Sequence, residues 1–523
     1  MLLKNLALLL FCFGVSSTAC AQRDSTASKY ANEINENDAR KHLTILASDE
    51  FEGRDTGKPG GQKAAKYIAD EFKKLDLTAP VNNSYFQPVE LIETKFEVTD
   101  FSLNDNKYKV GEGFYMTGSG EEKSINSNNI VFIGYGISNE KYDDLKSLDI
   151  EGKVVLLINE GEPVNENNIS YITGTAQLSD WSTERNKRLQ AILAKKPMLV
   201  LAVSSDVSDR IGRFASFMDR SRIMLKDDFK PSPNTIPVAH ITQDLTDLLL
   251  NQSGTSLNEL KDMISKTGKP ATRVLKAKVS TTFGTSVKPV ESQNVLGYLE
   301  GSDLKDELLV ISAHYDHVGI QDGEIYNGAD DDGSGTTGVL EMARAFTKSK
   351  KEGNGPRRSI LFLLVTGEEK GLLGSDYYTR YPIFPLENTV SDLNIDMIGR
   401  IDPDHETNPN YIYLIGADKL SSELHKISEN ANALYTNLEL NYKFNDPNDP
   451  ERIYYRSDHY NFAKNGIPVI FYFNGVHEDY HKPGDTVDKI NFEMLVKRTK
   501  LVFYTAWEIA NRDKRLIVDS NKK

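Results

Sequence analysis

The sequence predicts an α/β fold: a mixed, mainly parallel central sheet flanked by helices, with a β-rich domain inserted into it. Three observations carry that expectation. From residue 294 onward, apolar runs of strand length alternate with stretches of helical periodicity, the pattern of strand–helix–strand units. Between about 89 and 285 the texture changes to short β-rich runs joined by polar, irregular connections. Ahead of both lie two amphipathic helices with no strand nearby to pack on. At 523 residues, two domains are the default. The expected divisions are a leader at 1–21, an N-terminal helical part of the main domain at 22–90, the inserted domain at 91–287, and the rest of the main domain at 288–515.

Taken in order, residues 1–21 carry one charge, Lys4, then an apolar run from Leu6 to Val15, then small residues. That is the layout of a secretory signal, too short to span a membrane. Ala19–Cys20–Ala21 fits a small-residue cleavage site; the rival reading is a lipid anchor on Cys20. The two cysteines, Cys12 and Cys20, both fall in this segment. The exported protein would then hold no disulfide and no thiolate ligand. Export without disulfides suits a bacterial periplasm, cell surface or extracellular space. Residues 22–37 are polar and expected to be mobile. Helices are expected over 38–46 and 62–75, separated by a turn-rich loop at 51–61. They should pack on something later in the chain.

In the inserted region, strands are expected at 96–103, 129–135, 153–159, 197–203 and 236–241, with a helix at 183–195. In the main domain, strands are expected at 308–312, 360–365, 393–395 and 469–473. Helices are expected at 337–347, 372–380, 420–430 and 492–511. The net charge of −14 is poorly suited to nucleic acid or an anionic membrane surface, both of which need clustered Lys and Arg.

The chemistry sits where the strands end. His314 closely follows the first strand of the main domain. Glu368 and Glu369 follow the second by a Thr–Gly turn. Asp396 follows the third, and His481 lies beyond the last. Asp330, Asp331 and Asp332 stand in a glycine-rich loop after His314. Each cluster alone has an ordinary explanation, such as a turn or a helix N-terminus. In open α/β sheets, however, sites form beyond the carboxyl ends of the strands, so these clusters should converge. Their types suit two metal ions about 3.5–4 Å apart, which need a bridging carboxylate, terminal N or O ligands, and a free carboxylate as general base. Adjacent Glu368 and Glu369 suit the last two tasks, because neighbours leaving a strand point in different directions.

The strings HYDH (314–317), NGADDDGSG (327–335), TGEEKGLLGS (366–375), NIDMIGR (394–400) and YHKPGDT (480–486) resemble the di-zinc aminopeptidase family. That family includes bacterial leucyl aminopeptidases and vacuolar aminopeptidase Y. The resemblance covers most of 38–75 and 290–511 and implies a zinc exopeptidase-like fold. NIVFIGYG (129–136), DIEGKVVLL (149–157) and IPVAHIT (236–242) resemble a protease-associated domain. The resemblance implies two Zn2+ ions: His314 and Asp396 as terminal ligands of one, Glu369 and His481 of the other, and Asp331 bridging both. It implies Glu368 as general base and Asp316 as the carboxylate that orients the His314 imidazole. Asp332 would belong to a tight turn that aims Asp331, with an unusual peptide geometry there. Tyr455, Arg456 and His459 are candidate oxyanion donors, and His317, His477 and Asp485 candidate supports for the ligands. The implied substrates are peptides with a free N-terminus. A one-zinc glutaminyl cyclase-type acyltransferase, a carboxypeptidase on acidic dipeptides, and a non-catalytic binding protein remain open on the same scaffold. The inserted domain could cap the site and restrict access to short peptides, or be a passive spacer or dimer contact.

Overall fold

The computed structural model describes residues 23–218, 221–231 and 233–519; the leader and Cys20 lie outside them. The chain divides into two compact units, one of residues 1–89 and 291–523, the other of residues 90–290.

In the first unit, four strands form the parallel heart of the sheet. Leu304–His314 is central, with Arg358–Val365 on one side and Thr389–Ile395 on the other; Val469–Phe473 pairs next to Thr389–Ile395. Antiparallel partners flank them: residues 295–299 beside Arg358–Val365, and Tyr411–Ile415 beside Val469–Phe473. Successive strands thus step from the centre to opposite sides, which opens a crevice at the carboxyl ends. Arg358–Val365, Thr389–Ile395 and Val469–Phe473 are buried along their whole length, as expected of strands covered on both faces.

The helix Gly333–Lys351 starts at the crevice. Asp332 caps it by accepting from the Gly335 amide at 2.9 Å, and Lys348, Lys350 and Lys351 occupy its last turn, where they complement the helix dipole. The helices Glu36–Leu46 and Pro59–Lys74 place Leu43, Leu46, Ala65, Ile68 and Phe72 in one apolar core with Phe346, Phe362 and Phe503. These are the later partners that the sequence required of them.

One expectation fails at the N-terminal edge. Residues 25–31, expected to be mobile, form the helix Ser25–Ala31, capped by Asp24. Ala27, Tyr30 and Ala31 are buried, the Tyr30 ring stacks on Trp507 at 5.9 Å, and the Trp507 indole donates to Asp24 at 3.0 Å. The anchoring partner lies in the last helix, Phe492–Asn511, beyond the reach of local polarity.

The second unit has its own core, built around Phe101, Phe114, Phe132, Leu156, Leu201 and Phe283 among others. Its strands Lys123–Phe132, Val154–Ile158, Leu199–Val203 and Val238–Ile241 run parallel. Phe114–Thr117 and residues 273–283 close the two sides in antiparallel sense. It holds more helix than the one expected. Leu257–Thr267 has a complete capping box from Ser256 and Glu259, and buries Leu257, Leu260 and Ile264. Among the described residues no helix is long and apolar enough to cross a membrane.

Candidate active site

The four parallel strands bring His314, Glu368, Glu369, Asp331 and Asp396 to one place, with His481 beside them. Nε2 of His314 lies 3.4 Å from Asp331 Oδ1, 3.7 Å from Asp396 Oδ1 and 3.9 Å from Glu368 Oε2. Nε2 of His481 lies 3.0 Å from Asp331 Oδ2 and 3.1 Å from Glu369 Oε2. Asp331 therefore offers one oxygen to each side. His314 and Asp331 are buried, while the His481 side chain is 38% exposed.

Two donor groups meet the spacing that an ion requires: His314, Asp331 and Asp396, and His317, Asp331, Glu369 and His481. Within each group the ligand atoms lie within 4.8 Å of one another. His317 enters the second group fully: its Nδ1 is 2.8 Å from Glu369 Oε1 and 3.6 Å from Asp331 Oδ2. The buried His317 Nε2 has no hydrogen-bond partner, and Asp331 Oδ2 faces only the His481 and His317 rings. A carboxylate oxygen left so in a buried site is costly without a cation. Nitrogen and oxygen donors of this mix suit zinc or another borderline divalent ion.

The local scaffold explains why these side chains point where they do. His314 Nδ1 contacts the Asp316 carbonyl oxygen at 3.0 Å, which turns Nε2 into the cluster. The Asp316 carboxylate, expected to perform that task, lies 3.8 Å from the ring. It accepts instead from Thr56 Oγ1 at 2.8 Å and from the Glu368 amide at 3.2 Å. It therefore holds the backbone that presents Glu368. The loop around Asp331 is fixed from several sides. Asp485 accepts from the amides of Asp330 and Asp331. His477 Nε2 lies 3.3 Å from Asp330 Oδ2.

The peptide bond between Asp331 and Asp332 is cis. Asp332 does more than form a turn: beyond capping its helix, it accepts from the amides of Met397 at 3.0 Å and His314 at 3.2 Å. Gly328 has φ +57°, and a Cβ there would lie 2.2 Å from the Asp331 carbonyl oxygen and 2.5 Å from the His317 ring, so only glycine fits. Asp396 is steadied by Ser457 Oγ at 2.7 Å, which in turn accepts from Asn394 Nδ2 at 2.8 Å.

Arg54 is a contributor that sequence reasoning missed. It is fully buried and donates to the carbonyls of Tyr315, Leu46, Asn327, Gly328 and Asp331 at 2.6–3.3 Å. It ties the loops before and after the cluster together. The signal was a charged residue within a turn-rich loop, which composition alone reads as solvent-facing.

The electrostatics separate the two glutamates. Burial pushes the Glu368 carboxyl well above its usual range, aided by repulsion from Glu369 and Asp396 and opposed by His314. Burial and Asp331 also push Glu369 upward, but hydrogen bonds from His317 and His481 outweigh them and hold it at about 2. Burial opposes a charge on His481, yet Asp331 and Glu369 raise it to about 10. The cluster attracts positive charge.

The cleft above the cluster is lined by Asp331, Glu368 and Asp396, by the apolar side chains of Met397, Ile453, Phe471, Phe473 and Val476, and by Arg456 and Tyr480. Of the three candidate oxyanion donors, Arg456 lines this cleft. Tyr455 is 43% exposed and does not line the cleft, and His459 is buried, stacked on Phe471 at 4.8 Å. Tyr480, next to a ligand-type histidine, was not anticipated; its ring stacks on His481 at 3.9 Å.

The chain is similar to several known proteins. Residues 294–506 match the sequence profile of Peptidase family M28. Aminopeptidase Y of Saccharomyces cerevisiae is 30% identical over 234 residues, covering 42% of this chain and 39% of that protein. A probable leucine aminopeptidase of Trichophyton verrucosum is 30% identical over 215 residues, covering 39% of this chain and 55% of that one. The match thus spans 39% and 55% of the length of these two relatives. Among solved structures, an aminopeptidase from Aneurinibacillus sp. strain AM-1 is 18% identical with a TM-score of 0.47, covering 94% of this chain and 98% of that one.

Proposed function

We propose, from the match of residues 294–506 to Peptidase family M28, that the protein is a zinc-dependent aminopeptidase with a two-ion site. One observation carries the two-ion reading: Asp331 turns Oδ1 toward His314 and Oδ2 toward His481, so it belongs to both donor groups. His314 and Asp396 would complete one site, and Glu369 and His481 the other, with His317 against Glu369. Bound there, zinc supplies Lewis-acid polarisation of the scissile carbonyl.

The chain's own residues perform the proton work. Glu368 lines the cleft without belonging to either donor group. Free of both donor groups, its carboxylate is available to take up a proton and pass it on. It takes a proton from the attacking water and delivers it to the leaving amine as the C–N bond breaks. Asp316, through its bond to the Glu368 amide, keeps that carboxyl in place. The acidic cluster provides the counter-charge for a free α-ammonium group.

The test is hydrolysis of a leucyl peptide with a free N-terminus and of its N-acetylated form, with and without chelator. The expected outcome is release of leucine from the free peptide alone, abolished by chelation and restored by zinc. Activity that survives chelation, or cleavage that favours the blocked peptide, would contradict the reading.

A further inference from the structure

Arg456 stands out among the cleft residues because the proposed chemistry does not use it. It follows the short helix Ile453–Tyr455 and shares the cleft with Glu368, Asp331 and Asp396. Its Nη2 donates to the Tyr480 hydroxyl at 3.3 Å, and Tyr480 stacks on His481. The guanidinium is thus placed one ring away from the donor cluster. Its ion pair with Glu451 spans 3.9 Å, and both side chains are largely exposed, 42% and 68%. Such a pair neutralises little.

A peptide reacting here must set its α-ammonium and scissile carbonyl against the carboxylate cluster. Its N-terminal side chain, attached to the carbon between those two groups, then leaves toward the rest of the cleft wall. That wall is apolar except for Arg456 and Tyr480. Arg456 carries a permanent positive charge on that wall, and a substrate charge brought within a few ångströms of it is attracted or repelled even at this exposure.

We propose that Arg456 sets the charge preference for the N-terminal residue of the substrate: it disfavours a cationic side chain and favours an acidic one over it. This rests on the aminopeptidase reading above. Apolar side chains remain compatible with the neighbouring wall, so the contrast that reports on Arg456 is between acidic and basic residues.

The experiment compares kcat/KM for leucyl, glutamyl and lysyl p-nitroanilides in the zinc-loaded wild-type protein and in the R456Q and R456K variants. These substrates carry no C-terminal carboxylate, so the side chain is the variable charge. The expected result is a glutamyl-to-lysyl ratio that falls about tenfold or more in R456Q and stays within a few-fold of wild type in R456K. An unchanged ratio in R456Q would overturn the inference while leaving the aminopeptidase reading standing. So would an equal loss on all three substrates, which would mark Arg456 as a donor to the reacting oxygen. No hydrolysis of any of the three by the wild-type protein would overturn the aminopeptidase reading, and this inference with it.

Discussion

Two adjacent glutamates with the same chemistry stand in opposite electrostatic settings. Glu369 receives hydrogen bonds from two histidines, which hold it ionised. Burial, with Glu369 and Asp396 nearby, pushes the Glu368 carboxyl above its usual range, against the pull of His314. Under the proposed mechanism, Glu368→Ala should keep its bound zinc and lose about two to four orders of magnitude in kcat. Metal analysis alongside turnover checks this; loss of zinc in that variant would mean that the two glutamates have exchanged roles. The same residues measure what the sequence disclosed. His314, Glu368, Glu369 and Asp396 were legible because each closely follows a strand of recognisable apolar pattern, whereas Asp331 was marked by its glycine-rich loop. The position of His317 was not, since only the folded loop brings it within 2.8 Å of Glu369. Nor was the binding mode of Asp316, because a carboxylate and a carbonyl on one residue are indistinguishable in sequence.

Helices and strands with a strong local signal emerge at the expected places. Val469–Phe473 and Phe492–Asn511 coincide with expectation to the residue. The elements that escape notice are those whose partner is distant. Arg273–Leu299 is rich in Lys, Ser and Thr, and only its alternating burial over 273–283 marks it as a strand. Tyr411–Ile415 was also not expected, although its five residues are all buried. The helix Gly333–Lys351 carries a charge that its own sequence does not explain. Glu341 is buried, accepts from the Asn35 amide at 3.1 Å and pairs with Arg344. Burial raises its carboxyl to about 7, and Arg344 opposes this. A carboxyl whose folded pKa lies above its unfolded value of 4.5 favours folding below that value, and the benefit is lost as pH rises through about 7. Glu341→Gln, uncharged at every pH, should therefore gain thermal stability relative to wild type between pH 5 and 8. The difference in Tm, variant minus wild type, is the quantity to follow. A difference that stays flat or falls with pH would show that Arg344 holds Glu341 ionised throughout.

For the molecule as a whole, the chain folds into two compact units, each with its own apolar cores. The candidate site is contained in residues 314–481, within the first unit. Its N-terminal helices and loop belong to the same unit, and Arg54 reaches across more than 260 residues of sequence to bind the loops beside His314 and Asp331. We propose the 90–290 unit to be a protease-associated-like insertion, on the strings it carries at 129–136, 149–157 and 236–242. The central claim, that one carboxylate serves two ions, is tested most directly by reconstituting the metal-free protein with zinc and counting the tightly bound ions per chain. The account predicts two for the wild-type protein. A single tightly bound ion at saturation, with full activity, would contradict it.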